Sequence, residues 1–255
     1  MQQDILRVAQ AIERAERILI ITGAGLSADS GLPTYRGLGG LYNGLTAEGL
    51  PIERALSGPM LQRDPALCWK YLAELGRACL GARPNGGHVA IAELQRRKPQ
   101  CWVLTQNIDG YHLAAGSPPQ RLIEIHGQLA PLFCQSCGQG SCDMASHLAG
   151  SLPPTCAQCG GVLRPPVVLF EEMLPEQALE QLYDELHRGF DVVLAVGTTA
   201  SFPYIVEPLL QARRSGGFTV EVNPALTDLS TVVDVRLAGR ALDVLPALLG
   251  HIYGH

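Results

Sequence analysis

At 255 residues, 47% hydrophobic and 17% charged, with 28 Gly and 18 Pro, the chain has the composition of a compact, loop-rich enzyme with one large core and room for a small inserted module. A net charge of -5 and no basic run longer than Arg96-Arg97-Lys98 argue against a nucleic-acid partner. No apolar run reaches the roughly 18 residues that a membrane span needs, and Met1 to Ile21 lack a leader pattern, so the expectation is a soluble, cytoplasmic protein without membrane attachment.

In chain order, Ile5, Leu6, Val8, Ala9 and Ile12 fall near helical spacing and predict an amphipathic helix over 2–17. The apolar run Ile18-Leu19-Ile20-Ile21 predicts a buried strand, and Thr22-Gly23-Ala24-Gly25-Leu26-Ser27 a glycine-rich turn into a short helix. Between 38 and 84 the pattern is broken by Gly39-Gly40, Pro51 and Gly58-Pro59 before a helical stretch near 67–80, which reads as a mobile cofactor loop and helical insertion. Trp102 to Thr105, Val192 to Val196 and Phe218 to Val222 are further short apolar or β-branched strands separated by helical patterns. The fold expected is α/β: a Rossmann-like, doubly wound parallel sheet formed by 1–127 and 166–255, with a small zinc-ribbon module inserted at 128–165.

That module rests on Cys134-x-x-Cys137, eighteen intervening residues, and Cys156-x-x-Cys159, each pair followed by glycine. Two CxxC turns complete a closed tetrahedral Cys₄ shell, which leaves no open position and makes the zinc structural; a redox disulfide pair is the alternative. Cys142 has no CxxC partner and reads as a free thiol, while Cys68, Cys79 and Cys101 read as core residues.

Gly23-Ala24-Gly25 alone signals only a strand-to-helix turn, since Ala28 stands where the third glycine of GxGxxG would be. A helix N-terminus there would suit a pyrophosphate. His126 alone is more often a satisfied core histidine than a base, and Asn107 and Asp109 read either as a capped turn or as a ligand site beyond a strand end.

The run from Gly23 through Ser27 to Pro33-Thr34-Tyr35-Arg36-Gly37 resembles the sirtuin motif GAGxSxxSGxPxFRG. Pro84-Asn85-x-x-His88, Thr105-Gln106-Asn107-Ile108-Asp109, Glu124-Ile125-His126-Gly127, the cysteine pairs, Gly197-Thr198-Thr199 and Val222-Asn223 resemble further sirtuin segments, over roughly 18–247. The resemblance implies NAD-dependent removal of acyl groups from protein lysine, giving nicotinamide, O-acyl-ADP-ribose and free lysine. It implies NAD as co-substrate and one structural Zn²⁺. His126 would be the base on a ribose hydroxyl, and Asn107 would hold the ribose and a water. Gly23, Ala24, Gly25, Ser27, Tyr35, Arg36, Gln106, Asn107, Asp109, Gly197, Thr198, Thr199 and Asn223 would line the NAD site, with Tyr35 in place of the usual phenylalanine. The implied partner is an extended acyl-lysine peptide or protein, bound as an added strand with Val168, Phe170 and Glu171 beside it.

Two departures bear on substrate choice. Glu171 stands where the family has the glycine of Phe-Gly-Glu, placing a carboxylate at a peptide-facing position. Leu72 and Leu75 occupy the positions of the Tyr-x-x-Arg pair found in sirtuins that prefer succinyl or malonyl lysine, so acetyl or longer apolar acyl groups are expected. The alternatives are an NAD-dependent ADP-ribosyltransferase, against which His126 counts, and a non-catalytic NAD sensor. A monomer is expected.

Overall fold

The computed structural model describes residues 2–33 and 45–254. Six parallel strands form the main sheet: β1 (Ile18–Thr22), β2 (Cys101–Thr105), β3 (Leu122–Glu124), and then, after an intervening module, β7 (Val192–Val196), β8 (Phe218–Val222) and β9 (Val235–Leu237), in the order β3-β2-β1-β7-β8-β9. In the intervening module lie β4 (Leu132–Cys134), β5 (Gly140–Ser141) and β6 (Leu163–Arg164), a small antiparallel sheet ordered β5-β4-β6. This is the doubly wound sheet with a small inserted module that the sequence predicts.

All five residues of β1, of β2 and of β7 are buried, as expected where helices cover both faces of a parallel sheet. Alternate residues serve opposite layers. Ile18, Ile20, Val103 and Leu194 pack with helices Gln2–Arg14, Gly86–Arg97 and Ala241–Tyr253, while Leu19, Ile21, Leu104 and Val193 pack with Glu176–Arg188 and Pro203–Arg214. Each such side chain removed from water contributes about 1.5–3 kcal/mol.

A third cluster joins Ile52, Trp69 and Leu72 of the segment before β2 to Leu132, Met144 and Leu163 of the cysteine module, with the Trp69 indole donating to the Leu163 carbonyl at 2.9 Å. The helical insertion, whose main helix is Pro65–Gly81, and the cysteine module therefore share one core beside the large sheet.

The N-terminal helix ends at Arg14 rather than at 17. The backbone N–H groups of Glu16 and Arg17 donate to the Asp191 carboxylate at 2.9 and 2.8 Å, which turns the chain directly into β1.

Candidate active site

The chain leaves β1 toward β2 and β3 on one side and returns to β7, β8 and β9 on the other, so the carboxyl ends of β1 and β7 flank the crevice where open α/β sheets bind ligands. The turn after β1 carries Gly23, Ala24, Gly25 and Ser27, with Ala24–Ser27 a single helical turn. Gly25 N–H donates to the Gly197 carbonyl at 2.8 Å, and Gly197 N–H to that of Val222 at 2.9 Å. A Cβ on Gly25 would lie 2.8 Å from Gly197, and one on Gly197, whose φ is 59°, would lie 2.4 Å from the Leu26 nitrogen. The glycines are demanded by two backbones in contact.

The residues beyond β2 close on this turn. Asn107 is buried, and its Nδ2 donates to the Gly23 carbonyl at 3.0 Å and to Ser27 Oγ at 3.3 Å. Ser27 in turn donates to Asp109 Oδ2 at 2.6 Å, while Asp109 Oδ1 accepts the Tyr111 N–H at 2.9 Å. Burial raises the Asp109 carboxyl above its ordinary value, against these donors. Gln106 Nε2 reaches Thr198 Oγ1 at 2.8 Å, and Asn223 Nδ2 donates to the Thr198 carbonyl at 3.2 Å. Thr198 is buried and Thr199 is exposed, its hydroxyl 2.9 Å from that of Ser201. Tyr35 and Arg36 lie outside the described residues.

His126 follows β3. Its Nδ1 sits 3.0 Å from the Gln106 carbonyl and its Nε2 2.8 Å from the Tyr204 hydroxyl. Burial lowers its pKa below the ordinary histidine value, partly opposed by the Gln106 carbonyl. Sequence reading missed Tyr204; the signal available was the aromatic pair Phe202 and Tyr204 flanking Pro203 just after Gly197-Thr198-Thr199, at a helix start.

The segment Val167 to Glu171 runs against the His126 loop on one side and Leu56 to Gly58 on the other. Val168 N–H donates to the His126 carbonyl at 2.9 Å, and Phe170 N–H to that of Leu56 at 3.0 Å. Leu72 is buried in the third cluster, and Leu75, Ile108 and Phe170 pack against it, so the two leucines that replace the Tyr-x-x-Arg pair lie in apolar surroundings. Val168 is half-buried. Glu171 is exposed with φ 66°, a left-handed backbone that glycine adopts without strain, and its carboxylate lies 3.3 Å from Arg54. Glu172 instead grips Arg164 at 2.7 and 2.9 Å and accepts the Leu169 N–H, bracing the segment from behind.

Cys134, Cys137, Cys156 and Cys159 bring their four Sγ atoms within 4.8 Å of one another, with separations of 3.4 Å (Cys134–Cys159), 3.5 Å (Cys137–Cys159) and 3.7 Å (Cys137–Cys156). A disulfide needs about 2.05 Å. Four sulfurs about 2.3 Å from one zinc stand close to 3.8 Å apart, so the donor set fits a closed structural zinc site, and no disulfide joins the four cysteines. Gly138 and Gly160 take φ of 75° and 74° to close the two turns, and a Cβ on Gly161 would lie 3.0 Å from Cys134 Sγ. Backbone N–H groups, that of Cys137 first, lower the Cys134 thiol, while the net shift of Cys159 is upward. Cys142 is exposed and outside the cluster.

The Sir2 family matches residues 23–203. The chain belongs to the Sir2 family. It is 75% identical over 249 residues to NAD-dependent protein deacylase 2 of Pseudomonas aeruginosa, covering 98% of this chain and 97% of that one. It is 38% identical to NAD-dependent protein deacylase 2 of Pyrobaculum aerophilum, covering 97% and 95%. Among solved Sir2 structures, an NAD complex of a Sir2 homologue superposes with a TM-score of 0.84 at 34% identity, covering 97% and 93%. A Sir2 protein with a deacetylated p53 peptide and 3'-O-acetyl ADP ribose does so at 0.86 and 26%, covering 97% and 98%. Among the described residues, no Sir2 helix here is long and apolar enough to cross a membrane.

Proposed function

We infer that this chain is an NAD-dependent protein-lysine deacylase, transferring an acyl group from lysine to ADP-ribose with release of nicotinamide. The observation that carries the reading is His126. Its Nδ1 is held 3.0 Å from the carbonyl of Gln106, the residue beside Asn107, and its Nε2 lies 2.8 Å from the Tyr204 hydroxyl, so a neutral imidazole with an acceptor nitrogen stands beside the residues that close on the glycine turn. The structures with acetyl-ADP-ribose and deacetylated peptide, and the deacylase names of the relatives, support the same chemistry.

In this reading Gly23, Ala24, Gly25 and Ser27 hold the phosphate side of NAD, and Thr198, Thr199 and Asn223 its adenine-side ribose. Gln106, Asn107 and Asp109 hold the nicotinamide side, and Tyr35 and Arg36 complete the site. Bound NAD supplies the sugar that accepts the acyl group. The chain supplies a base, because burial keeps the imidazole neutral and its Nε2 able to take a proton near pH 7. Asn107, buried and tied to the Gly23 carbonyl and Ser27 Oγ, supplies a fixed amide donor on the residue next to Gln106.

The substrate is an acyl-lysine peptide laid against Val168 to Glu171, whose edge already pairs with neighbouring loops in strand fashion. Leu72 and Leu75 favour acetyl and longer apolar acyl groups, since a succinyl carboxylate there would be desolvated without a charged partner. Residues 1–127 and 166–255 form the NAD-binding part and 128–165 the zinc module. The protein acts as a monomer.

Mass-spectrometric turnover of acetyl-, butyryl- and succinyl-lysine peptides, with and without NAD and with His126→Ala as control, tests this. NAD-dependent loss of acetyl or butyryl that vanishes in His126→Ala is the expected result. Preference for succinyl overturns the pocket assignment, and NAD consumption with ADP-ribosylated protein in place of deacylation overturns the activity.

A further inference from the structure

The hydrogen bond between His126 and Tyr204 has a direction that its surroundings fix. Nδ1 of His126 lies 3.0 Å from a carbonyl oxygen, that of Gln106, which only accepts, so Nδ1 carries the hydrogen. In the neutral imidazole Nε2 then presents its lone pair, and the Tyr204 hydroxyl at 2.8 Å donates to it. The protonation states agree with this arrangement. Burial lowers the His126 pKa, and burial pushes the Tyr204 phenol up to about 12.

Tyr204 is held in place by more than this bond. Its ring stacks on Phe202 at 5.3 Å and 10°, and Phe202 meets the His126 ring edge-on at 5.9 Å. Both aromatics come from the turn after Thr199, where Ala200 holds a left-handed φ of 51° and donates its N–H to Thr198 Oγ1 at 3.0 Å. The lone pair that the base needs is therefore already taken by a side chain delivered from the other wall of the cleft.

We propose that Tyr204 is a positioning residue for the base: before substrates bind, its hydroxyl holds the Nε2 lone pair of His126, and binding exchanges that hydroxyl for the one from which His126 takes its proton. The proposal rests on the deacylase reading. One neutral O–H donor replaces another, so the charge around the imidazole is unchanged by the exchange. The arrangement keeps a buried acceptor satisfied and the imidazole in a single tautomer while the cleft is open. Every turnover must then break the bond to Tyr204.

Among the described residues, the ionisable groups on neighbouring elements include Glu124 on β3 and Asp109 beyond β2, both raised by burial, Glu207 and Arg214 paired on the helix of Tyr204, and Glu171 and Glu172, paired with Arg54 and Arg164, on the segment that meets the His126 loop. Tyr204→Phe removes none of these groups, and it keeps the ring that stacks on Phe202.

Two measurements decide the matter. In the enzyme without NAD or peptide, an NMR titration of His126 should show its midpoint higher in Tyr204→Phe than in the wild type, because the neutral form has lost a donor; this readout holds even if the deacylase reading fails. In kinetics, the two pH profiles of kcat/KM should coincide on the acid limb and separate above it, the variant reaching a plateau about fivefold higher, the worth of one neutral hydrogen bond. An unmoved titration midpoint, or a kcat/KM lower than wild type at every pH, overturns the proposal. Where Tyr204→Phe folds poorly, the wild type alone suffices. Adding ADP-ribose and a deacylated peptide should shift the His126 Nε2 resonance away from its phenol-bonded value, and an unchanged resonance in the demonstrated complex overturns the exchange.

Discussion

Ser27 donates its hydroxyl hydrogen to Asp109 Oδ2 at 2.6 Å while lying 3.4 Å from His88 Nε2 and 3.3 Å from Asn107 Nδ2, so one buried oxygen ties the turn after β1 to the end of β2 and to helix Gly86–Arg97. Asn85 N–H donates to His88 Nδ1 at 3.2 Å, which leaves Nε2–H to point at Ser27. Residues of the turn after β1, of Pro84-Asn85-x-x-His88 and of Thr105 to Asp109 thus form one hydrogen-bonded unit.

Ser27→Ala should cost about 1–3 kcal/mol of stability, because buried polar groups on three elements lose a partner. The penalty should grow with pH. A carboxyl raised by burial contributes most below its ordinary pKa and loses that contribution as pH rises through its folded value, and removing a donor raises Asp109 further. Urea unfolding at pH 5 and pH 8, with NAD affinity by calorimetry, checks this. A variant as stable as wild type at both values would show that Asp109 does not depend on Ser27.

His88 and His112 are buried with ring centroids 5.3 Å apart, and burial pulls them down to about 4 and about 3. The unfolded chain binds protons at these sites from pH 6.5 downward and the folded chain does not. Stability is therefore complete above pH 6.5 and falls as pH drops toward 4, by about 1.4 kcal/mol per pH unit for each histidine. Asp109 and Glu124, raised by burial, act in the opposite sense, so the informative quantity is a difference. His112→Gln should take up about one proton fewer on unfolding at pH 5 than wild type. Equal uptake would mean that His112 already titrates in the folded state.

The strands that position this site are legible where they are long and apolar or β-branched: β1, β2 and β7 are five-residue runs apolar on both faces but for a terminal threonine in the first two, and β8 alternates Phe218, Val220 and Val222 with Thr219 and Glu221. β3 and β9 have three residues each and carry no such run. The small sheet of β4, β5 and β6 is set by cysteine geometry more than by periodicity, so only its spacing could be read. The site residues lay in local motifs and could be named one by one. Their mutual contacts could not, since Ser27 with Asp109 and His126 with Tyr204 are separated by 82 and 78 positions and meet only through the strand order. The shared core of Trp69 and Leu163 was hidden for the same reason.

Removing the metal should loosen more than the cysteine module. Cys134 and Cys156 belong to the cluster that includes Trp69, Leu72 and Leu169, so chelation or Cys156→Ser should lower the melting temperature and weaken NAD and peptide binding together. Metal content measured beside the melt decides the point. Unchanged stability after verified loss of zinc would show that the apolar cluster holds the module without it.

Glu171 carries a left-handed φ of 66° and a carboxylate paired only loosely, at 3.3 Å, with an exposed Arg54. Exposed pairs of this kind contribute about 0–1 kcal/mol, so the carboxylate is free to turn toward a peptide's basic residue. Glu171→Gly relieves about 1–2 kcal/mol of backbone strain and adds a similar entropy cost in the unfolded chain, leaving stability nearly level. What should change is selectivity. Against acetyl-lysine peptides flanked by Arg or by Glu, the wild type should favour the basic set by about fivefold at low ionic strength and less at high, and Glu171→Gly should lose that preference. A preference that survives the substitution, or that ignores salt, would show that the Glu171 carboxylate does not set peptide selection.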